Sequence, residues 1–230
     1  MSFTFRGGAA AFVLSTLMLA GCATTSPVPA APSQTPTPEE PAMELAAAWL
    51  DAGRMIGLVT WGSSSCVPHA EAATASGQEI TVTLVDATDG PCTADYGPRA
   101  SEIAVPAGVD PHQPVTVHLT YLDQTADLTL AGDEELTGTP GDPTDYQPTA
   151  GWFNDNGIAL LTWGSSSCRP QVAGIEETAD GITVNFTPHD GMCTMDMAPR
   201  VTVLYVEQVD RDRSLTLAGD NLDATIPILG

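Results

Sequence analysis

The chain of 230 residues carries 29 acidic residues, seven basic residues and no lysine, and its formal net charge is −22. Such an acidic chain lacks the basic patch that nucleic acids and anionic lipid headgroups require, which argues against both as partners. The absence of lysine also excludes lysine Schiff-base chemistry and a phosphate-binding loop that depends on a lysine.

The first 21 residues have the features of an export signal. Arg6 is their only charge, and the apolar run after it covers about 15 residues, fewer than the roughly 20 that a membrane-spanning helix needs. The run ends in Leu19-Ala20-Gly21-Cys22. This tetrapeptide resembles the lipobox of bacterial lipoproteins, in which a peptidase cuts before the cysteine and the cysteine is lipidated. The resemblance implies a signal peptide over 1–21, a lipid anchor on Cys22 and a location on the extracytoplasmic face of the cell membrane.

Residues 22–42 are predicted to be a stalk that begins at the lipidated cysteine. Pro, Thr, Ser and Ala fill most of this stretch. No apolar periodicity runs through it, so it cannot bury a core. We expect a semi-extended spacer that holds the folded part away from the membrane.

The rest of the chain contains the same pair of motifs twice. W-G-S-S-S-C and D-G-x-C-T-x-D-x-x-P-R stand at 61–66 and 89–99, and again at 163–168 and 190–200. A period of about 100 residues indicates a duplicated domain and not a solenoid. The paired motifs resemble those of secreted lipoproteins of high-GC Gram-positive bacteria. That resemblance implies location and duplication, but no activity.

The duplication predicts two domains, 43–132 and 149–230, joined by a Pro/Gly/acid-rich linker over 133–148. To keep the repeat in register, we align 109–123 with 209–223. Matching the two L-T-L-A-G-D segments would instead shorten the second copy by about 14 residues, more than a small domain readily loses.

Strand patterns dominate both copies. Trp49-Leu50, a turn and M-I-G-L-V-T-W predict a hairpin, and Asn-Gly at 156–157 predicts its counterpart. Segments 79–86 and 181–188 alternate β-branched and polar residues, as half-buried strands do. A short helix over 41–51 is the alternative for the start of the first copy. We therefore predict an all-β fold of two tandem small antiparallel β-sandwich or barrel-like domains, each with one disulfide.

Four cysteines remain after Cys22, two in each copy. Duplication favours one bridge within each copy, Cys66–Cys92 and Cys168–Cys193, among the three pairings that four cysteines allow. An exported location permits such bridges. A cysteine metal site is the alternative, but two cysteines per copy without histidines at the usual spacing are unlike zinc motifs.

The serine triplets partly match the G-x-S-x-G nucleophile elbow, with a cysteine in place of the second glycine. A serine hydrolase also needs a base, yet none of the four histidines occurs in both copies under the repeat alignment: His69, His112, His118 and His189. We therefore expect turns whose hydroxyls bond to backbone groups. The threonine and aspartate of each C-T-x-D-x-x-P-R segment are expected to cap exposed N–H groups of that segment, and these residues are Thr93 and Asp95, and Thr194 and Asp196. Arg99 and Arg200 are expected to bind those aspartates or backbone carbonyls around the bridges. Six residues beside the bridges are the candidate ligand-binding set: Trp61, Ser64, Arg99, Trp163, Ser166 and Arg200.

Metal binding through the second domain is the alternative function. His189, Met192, Met195 and Met197 have no counterparts in the first copy, and thioethers with an imidazole suit Cu(I). Methionines also fill gaps in cores. Ca²⁺ is the other metal considered, through Asp86, Asp89 and Asp95 in the first copy or through the second domain, although the D-x-D-x-D-G loop is absent.

The sequence thus predicts a lipid-anchored surface protein with a binding or structural role, which is not an enzyme and holds no cofactor. A protein, an envelope polymer or a small ligand is the expected partner, and the chain is expected to be a monomer. Serine hydrolysis is the remote alternative.

Overall fold

The computed structural model describes residues 43–86, 90–179, 181–207 and 211–230. The predicted signal, the lipidated Cys22 and the stalk lie outside these ranges, as does Asp89. Within them the chain forms fifteen strands and a 3₁₀ turn at Asp51–Gly53. No helix in the described ranges has both the length and the apolar character needed to cross a bilayer.

The first copy is a two-sheet sandwich. One sheet has the order β1-β2-β6 and consists of Leu45–Leu50, Met55–Gly62 and Gly97–Ala104. The other consists of β3 (His69–Ala70), β4 (Thr74–Ser76), β5 (Glu79–Val85), β7 (Val115–Tyr121) and β8 (Gln124–Leu130). The segment for which a helix was the alternative is thus strand β1, paired with β2 in a hairpin.

The second copy repeats this plan. Its strands are β9 (Thr149–Trp152), β10 (Gly157–Gly164), β11 (Gln171–Thr178), β12 (Gly181–Thr187), β13 (Ala198–Tyr205), β14 (Ser214–Gly219) and β15 (Leu222–Leu229). Strands β9, β10 and β13 correspond to β1, β2 and β6. The end of β15 also pairs with β9, which joins both sheets of this copy into one seven-stranded sheet.

The all-β prediction is confirmed, and the structure adds three parallel pairings to the antiparallel ones. Strands β5 and β7 run parallel, as do β12 and β14 and the short β15–β9 contact. In the first copy the strand between the two partners, β6, lies in the opposite sheet, and in the second copy β13 lies in the β9-β10-β13 part of the joined sheet. The chain therefore returns from β6 or β13 to pair with β5 or β12 in the same direction, and the resulting pair is parallel.

Strand β2 is buried on both faces, which explains its continuous apolar run. Each copy has its own core, and a third core lies between the two copies. Ile56 and Leu58 belong to the core of the first copy, while Met55 and Val59 belong to the core that the two copies share. Residues of the second copy, including Ala159 and Leu161, complete that shared core. The three-stranded sheet of the first copy therefore packs directly on the β9-β10-β13 part of the second.

Close approach between the copies depends on a glycine. A Cβ on Gly151 would lie 2.5 Å from the carbonyl oxygen of Trp49 and 3.1 Å from the Cβ of Ala48. Across the same junction, the backbone N–H of Asp51 donates to the hydroxyl of Thr149 at 2.8 Å. The described residues consequently form one compact unit.

The predicted linker segment packs against both copies. Leu136 is buried in the first core. Tyr146 meets the ring of Trp163 edge-on, with 5.2 Å between ring centroids. The domain boundaries themselves stay a prediction.

In β14 the equivalence of residues between the two copies differs by two positions from the sequence alignment of the repeats. Val117 lies beside Ile80, and Leu215 lies beside the equivalent Ile182. Val117 is thus equivalent to Leu215, whereas the sequence alignment paired it with Leu217. A two-residue shift keeps every side chain on the same face of the sheet, so alternation alone does not separate the two registers.

Candidate functional site: the stapled loops and the cleft between the copies

The two predicted disulfides are confirmed. Cys66 is bonded to Cys92, and Cys168 is bonded to Cys193. The Cα atoms are 5.5 Å and 5.6 Å apart, a normal separation for a bridge. Each bridge joins a serine triplet to the C-T-x-D segment of the same copy, and we call these two assemblies the stapled loops.

In the first stapled loop, the serine triplet binds the threonine and the aspartate beyond the bridge. The backbone N–H of Thr93 donates to Oγ of Ser65 at 2.9 Å, and the Thr93 hydroxyl lies 2.9 Å from that of Ser63. Ser64 contributes its backbone N–H, 3.3 Å from the carboxylate of Asp95, and the Thr93 hydroxyl also donates to that carboxylate. Hydrogen bonds from Ser64 and Thr93 lower the pKa of Asp95 to about 2.

The second stapled loop has the same bonds. The N–H of Thr194 donates to Oγ of Ser167 at 3.0 Å, its hydroxyl lies 2.7 Å from that of Ser165, and the N–H of Ser166 donates to Asp196 at 3.1 Å. Hydrogen bonds from Thr194 and Ser166 lower the pKa of Asp196 to about 2. Asp95 and Asp196 therefore cap the turn of the serine triplet, whereas the prediction assigned them to N–H groups of the C-T-x-D-x-x-P-R segment.

Arg99 explains the glycine of the first W-G-S-S-S-C motif. The buried guanidinium donates to the carbonyl oxygen of Cys66 at 2.6 Å and to the hydroxyl of Tyr121 at 2.9 Å. A Cβ on Gly62 would lie 2.6 Å from the central guanidinium carbon. Any other residue at this position would displace the arginine.

Arg200 has the same position in the second copy. It donates to the carbonyl oxygens of Cys168 at 2.7 Å and Trp163 at 2.9 Å. Burial lowers the pKa of Arg200. A Cβ on Gly164 would lie 2.9 Å from its guanidinium carbon. The prediction that the arginines bind carbonyls around the bridge fits both copies.

The six candidate ligand-binding residues divide into buried and exposed members. Arg99 and Arg200 are buried and bound to backbone carbonyls. The two tryptophans are half-buried against the shared core, and the indole N–H of Trp163 donates to the carbonyl of Gln147 at 3.1 Å. Only Ser64 and Ser166 are exposed. The arginines and tryptophans of this set therefore have contacts within the fold, and only the two serines present their side chains to solvent.

No histidine ring in the described residues is hydrogen-bonded to either serine triplet. The ring of His112 bonds to Asp110 and to the Leu136 carbonyl, and the ring of His118 bonds to Asp127. The serines therefore have structural partners, and among the described residues none of these partners is an imidazole.

The predicted metal residues of the second copy lie on its outer face. Met192 and Met195 are fully exposed at 101% and 103%, and Met197 is 60% exposed. These thioethers are thus not core filler. The ring of His189 lies with the two sulfur atoms of the Cys168–Cys193 bridge, all within 4.8 Å of one another.

Two of the acids considered for Ca²⁺ already accept hydrogen bonds within the first copy. Asp86 accepts from the hydroxyl of Tyr121. Asp95 accepts from the serine turn and from Thr93. Their carboxylates thus have partners in the fold.

The sequence patterns did not predict a cleft of about 710 Å³ at the junction of the two copies. Its first-copy wall comes from β1 and β8, including Leu45, Trp49 and Leu130. Its second-copy wall comes from β9 and the end of β15, including Trp152 and Ile228. Clefts of this size lined by apolar and aromatic groups are typical of small-ligand sites.

The cleft has an acidic rim with one cation. Asp133, Glu134, Glu135 and Asp212 line it, together with Arg211. The guanidinium of Arg211 lies over the ring of Trp152, 5.5 Å from its centroid, and donates to the carbonyl of Gly230 at 3.0 Å. With four acidic residues and one arginine, the lining of the cleft carries a net negative charge.

The two tryptophans of the cleft differ in their hydrogen bonds. Nε1 of Trp49 donates to the carbonyl of Ala131 at 2.7 Å. Trp152 is only 6% exposed, and its Nε1 is buried without a hydrogen-bond partner among the described residues. A buried unpaired N–H costs about 1–3 kcal/mol, and this N–H has no surface that a ligand in the cleft could contact.

One sequence signal could have indicated the cleft. Trp49 and Trp152 each stand two positions before the first turn residue of their hairpin, Asp51 or Asn154. The repeat therefore contains a second pair of equivalent tryptophans besides those of the serine motif. The acidic rim could not be found in this way, because its residues come from the linker segment and from the β13–β14 connection.

Comparison with protein-family models, with curated proteins and with solved structures finds no match to this chain. No activity is therefore carried over from a relative, and function has to be inferred from the site itself. Lining, charge and size decide what the cleft can bind.

Proposed function

We propose that the protein is a non-catalytic binding protein, lipid-anchored on the extracytoplasmic face of the cell membrane. Its cleft between the two copies holds a small cationic ligand with an apolar part. The observation that carries this proposal is the cleft itself, an apolar, tryptophan-containing cavity with an acidic rim.

The apolar walls supply affinity and the rim supplies selectivity. Burying apolar ligand surface against Leu45, Leu130 and Ile228 stabilises the complex by about 25 cal/mol per Å², before the costs of association. Asp133, Glu134 and Glu135 attract a cation and disfavour an anion.

The anchor is supported by the Leu19-Ala20-Gly21-Cys22 motif and by the stalk composition. Disulfides persist in oxidising compartments outside the cytoplasm, so the two bridges fit this location. Growth of a producing bacterium with radiolabelled palmitate tests it. The wild-type chain should incorporate label and sediment with membranes, and a Cys22→Ser variant should do neither. Labelling of the variant would contradict the anchor.

A non-catalytic role is supported by the structural use of the repeated polar groups. Thr93 and Asp95 bind the first serine triplet, and Arg99 holds the carbonyl of Cys66. The second copy uses the equivalent residues in the same way. The groups that suggested a nucleophile therefore stabilise the stapled loops.

Ligand binding can be measured through the indole N–H signals of the four tryptophans in a ¹H–¹⁵N spectrum of the full chain. The probes are benzylammonium, benzyl alcohol and benzoate, which share a ring and differ in charge. Benzylammonium should shift the Trp49 and Trp152 signals and bind more tightly than benzyl alcohol, while benzoate should bind least. Trp49→Phe and Trp152→Phe variants assign the signals.

A matched pair of double variants tests the acidic rim. Glu134→Gln/Glu135→Gln should weaken benzylammonium binding several-fold and leave benzyl alcohol unchanged. Asp142→Asn/Asp223→Asn removes the same charge from exposed positions outside the cleft and should change neither. Equal binding of benzoate and benzylammonium, or shifts confined to Trp61 and Trp163, would contradict the proposed site.

Cu(I) binding is a second candidate function, supported by the exposure of the second copy's methionines. Met192, Met195 and Met197 present thioethers to solvent, and thioethers favour Cu(I). Titration of Cu(I) into the oxidised chain and into a Met195→Leu/Met197→Leu variant tests it. The variant should bind much more weakly, and unchanged affinity would reject the candidate.

A further inference from the structure

The second stapled loop brings three metal-ligand side chains together. One ring nitrogen of His189 and the sulfurs of Cys168 and Cys193 lie within 4.8 Å of one another. In the disulfide, the sulfurs are bonded to each other and are not thiolates, and only thiolates bind metals strongly. The cluster therefore brings three potential metal ligands together, but its two sulfurs can serve as ligands only after the disulfide is reduced and they move apart.

The position of the histidine ring is built into the loop. A Cβ on Gly191 would lie 2.7 Å from Nε2 of His189, so the glycine leaves room for the ring. The backbone N–H of His189 donates to the carboxylate of Asp220 at 3.2 Å, which ties the histidine to the β14–β15 turn.

The described residues of the first stapled loop form no comparable cluster. The sequence has Thr88 where the second copy has His189, and threonine is a poor metal ligand. Among the described residues, Cys168, His189 and Cys193 form the one group of three such side chains within this distance. The chain thus contains its own control, a disulfide of nearly equal loop length without the histidine.

We propose that reduction of the Cys168–Cys193 disulfide converts the second stapled loop into a site for Zn²⁺. A dithiol reductant supplies two electrons and two protons: its two thiols form a disulfide, and Cys168 and Cys193 become thiols. Each thiol releases its proton when it binds the metal. Two thiolates and one imidazole are typical Zn²⁺ ligands, and a fourth position is left for water or a substrate.

The bridge is accessible for this exchange from one side. Cys193 is exposed, whereas Cys168 is 4% exposed. An attacking thiolate therefore reaches Cys193, and Cys168 leaves as the first free thiolate, next to the ring of His189.

Co²⁺ is the probe, because thiolate ligation of Co²⁺ gives charge-transfer and d–d absorption bands that Zn²⁺ lacks. The full chain is reduced with a phosphine under nitrogen and titrated with Co²⁺. One equivalent should give the thiolate bands, and Zn²⁺ should displace it. The oxidised chain should give no thiolate bands. A chain that shows these bands without reduction, or shows none after reduction, overturns the proposal.

Two variants separate a built site from cysteines that bind metal in an unfolded chain. His189→Thr, which copies the residue of the first repeat, should weaken Co²⁺ binding by about 100-fold, at least the cost of losing an outer-shell partner. Cys66→Ala/Cys92→Ala should retain one equivalent with unchanged affinity. Equal binding by His189→Thr and wild type would show that the cysteines act without the folded loop and would overturn the proposal.

Discussion

The two stapled loops share the residues that form their hydrogen bonds and differ in the residues next to these in the sequence. In both, a serine triplet binds a threonine and an aspartate, and a buried arginine holds the carbonyl of the first cysteine. The residues that surround this motif in the sequence differ between the copies: Thr88, Pro91, Ala94 and Tyr96 of the first copy correspond to His189, Met192, Met195 and Met197 of the second. The repeated motif is therefore a scaffold, and chemistry specific to one copy should lie in the residues that differ.

The largest expected effect is the loss of a bridge. The bridges close 26-residue and 25-residue separations, so removing either as a double Cys→Ala variant should lower the free energy of unfolding by about 3 kcal/mol. Urea unfolding of Cys66→Ala/Cys92→Ala and of Cys168→Ala/Cys193→Ala measures both. If one pair proved neutral, that loop would be held by its hydrogen bonds alone and the two scaffolds would not be equivalent.

The next effect comes from the glycine against the buried arginine. A Cβ at Gly62 would lie 2.6 Å from the Arg99 guanidinium carbon, so Gly62→Ala should destabilise the chain by about 2 kcal/mol through overpacking. Gly164→Ala should do the same in the second copy. Gly174→Ala is the control, because nothing lies within 4 Å of its added Cβ. A neutral Gly62→Ala would mean that the arginine moves without cost.

Acid should weaken both loops over the same pH range. The pKa values of Asp95 and Asp196 are lowered in the fold from 3.8 to about 2. Their contribution to stability is therefore complete above the unfolded-state value and is lost as the pH falls through about 2. Unfolding temperatures of wild type and Asp95→Asn/Asp196→Asn should converge as the pH falls from about 4 to about 2.

The control for the acid experiment is Asp123→Asn, on the exposed turn between β7 and β8. It removes one negative charge without touching a stapled loop. Its unfolding temperature should follow that of the wild type through the acid range. A wild-type curve parallel to that of Asp95→Asn/Asp196→Asn would contradict the structural role of the aspartates.

Sequence patterns predicted the parts of the fold that local spacing controls. Alternation in 79–86 and the Asn-Gly turn gave the correct strand and hairpin, and duplication gave the correct disulfides. Patterns failed where two solutions bury the same face, as in the two-residue shift of Leu215. They also failed for the cleft, because its residues meet only after the two copies pack together.

The smallest expected effect is at the middle serine, and it separates the two interpretations of the triplet. A nucleophile elbow would make Ser64 the most sensitive position. In the structure, its backbone N–H binds Asp95, and alanine keeps that N–H. Ser64→Ala should therefore change the free energy of unfolding by less than about 0.5 kcal/mol at neutral pH. The hydroxyl of Ser64 also hydrogen-bonds to Asp95 and lowers its pKa, so that pKa should rise in the variant although the backbone N–H remains.

Ser65→Ala is the companion variant, because Ser65 acts through its side chain. Its Oγ accepts the backbone N–H of Thr93 at 2.9 Å, so the loss should cost about 0.5–1.5 kcal/mol. The scaffold interpretation thus predicts that Ser65→Ala is more damaging than Ser64→Ala, with the same order for Ser167 and Ser166. The reverse order, measured by urea unfolding, would give the middle hydroxyl a role beyond the turn and reopen the question of its chemistry.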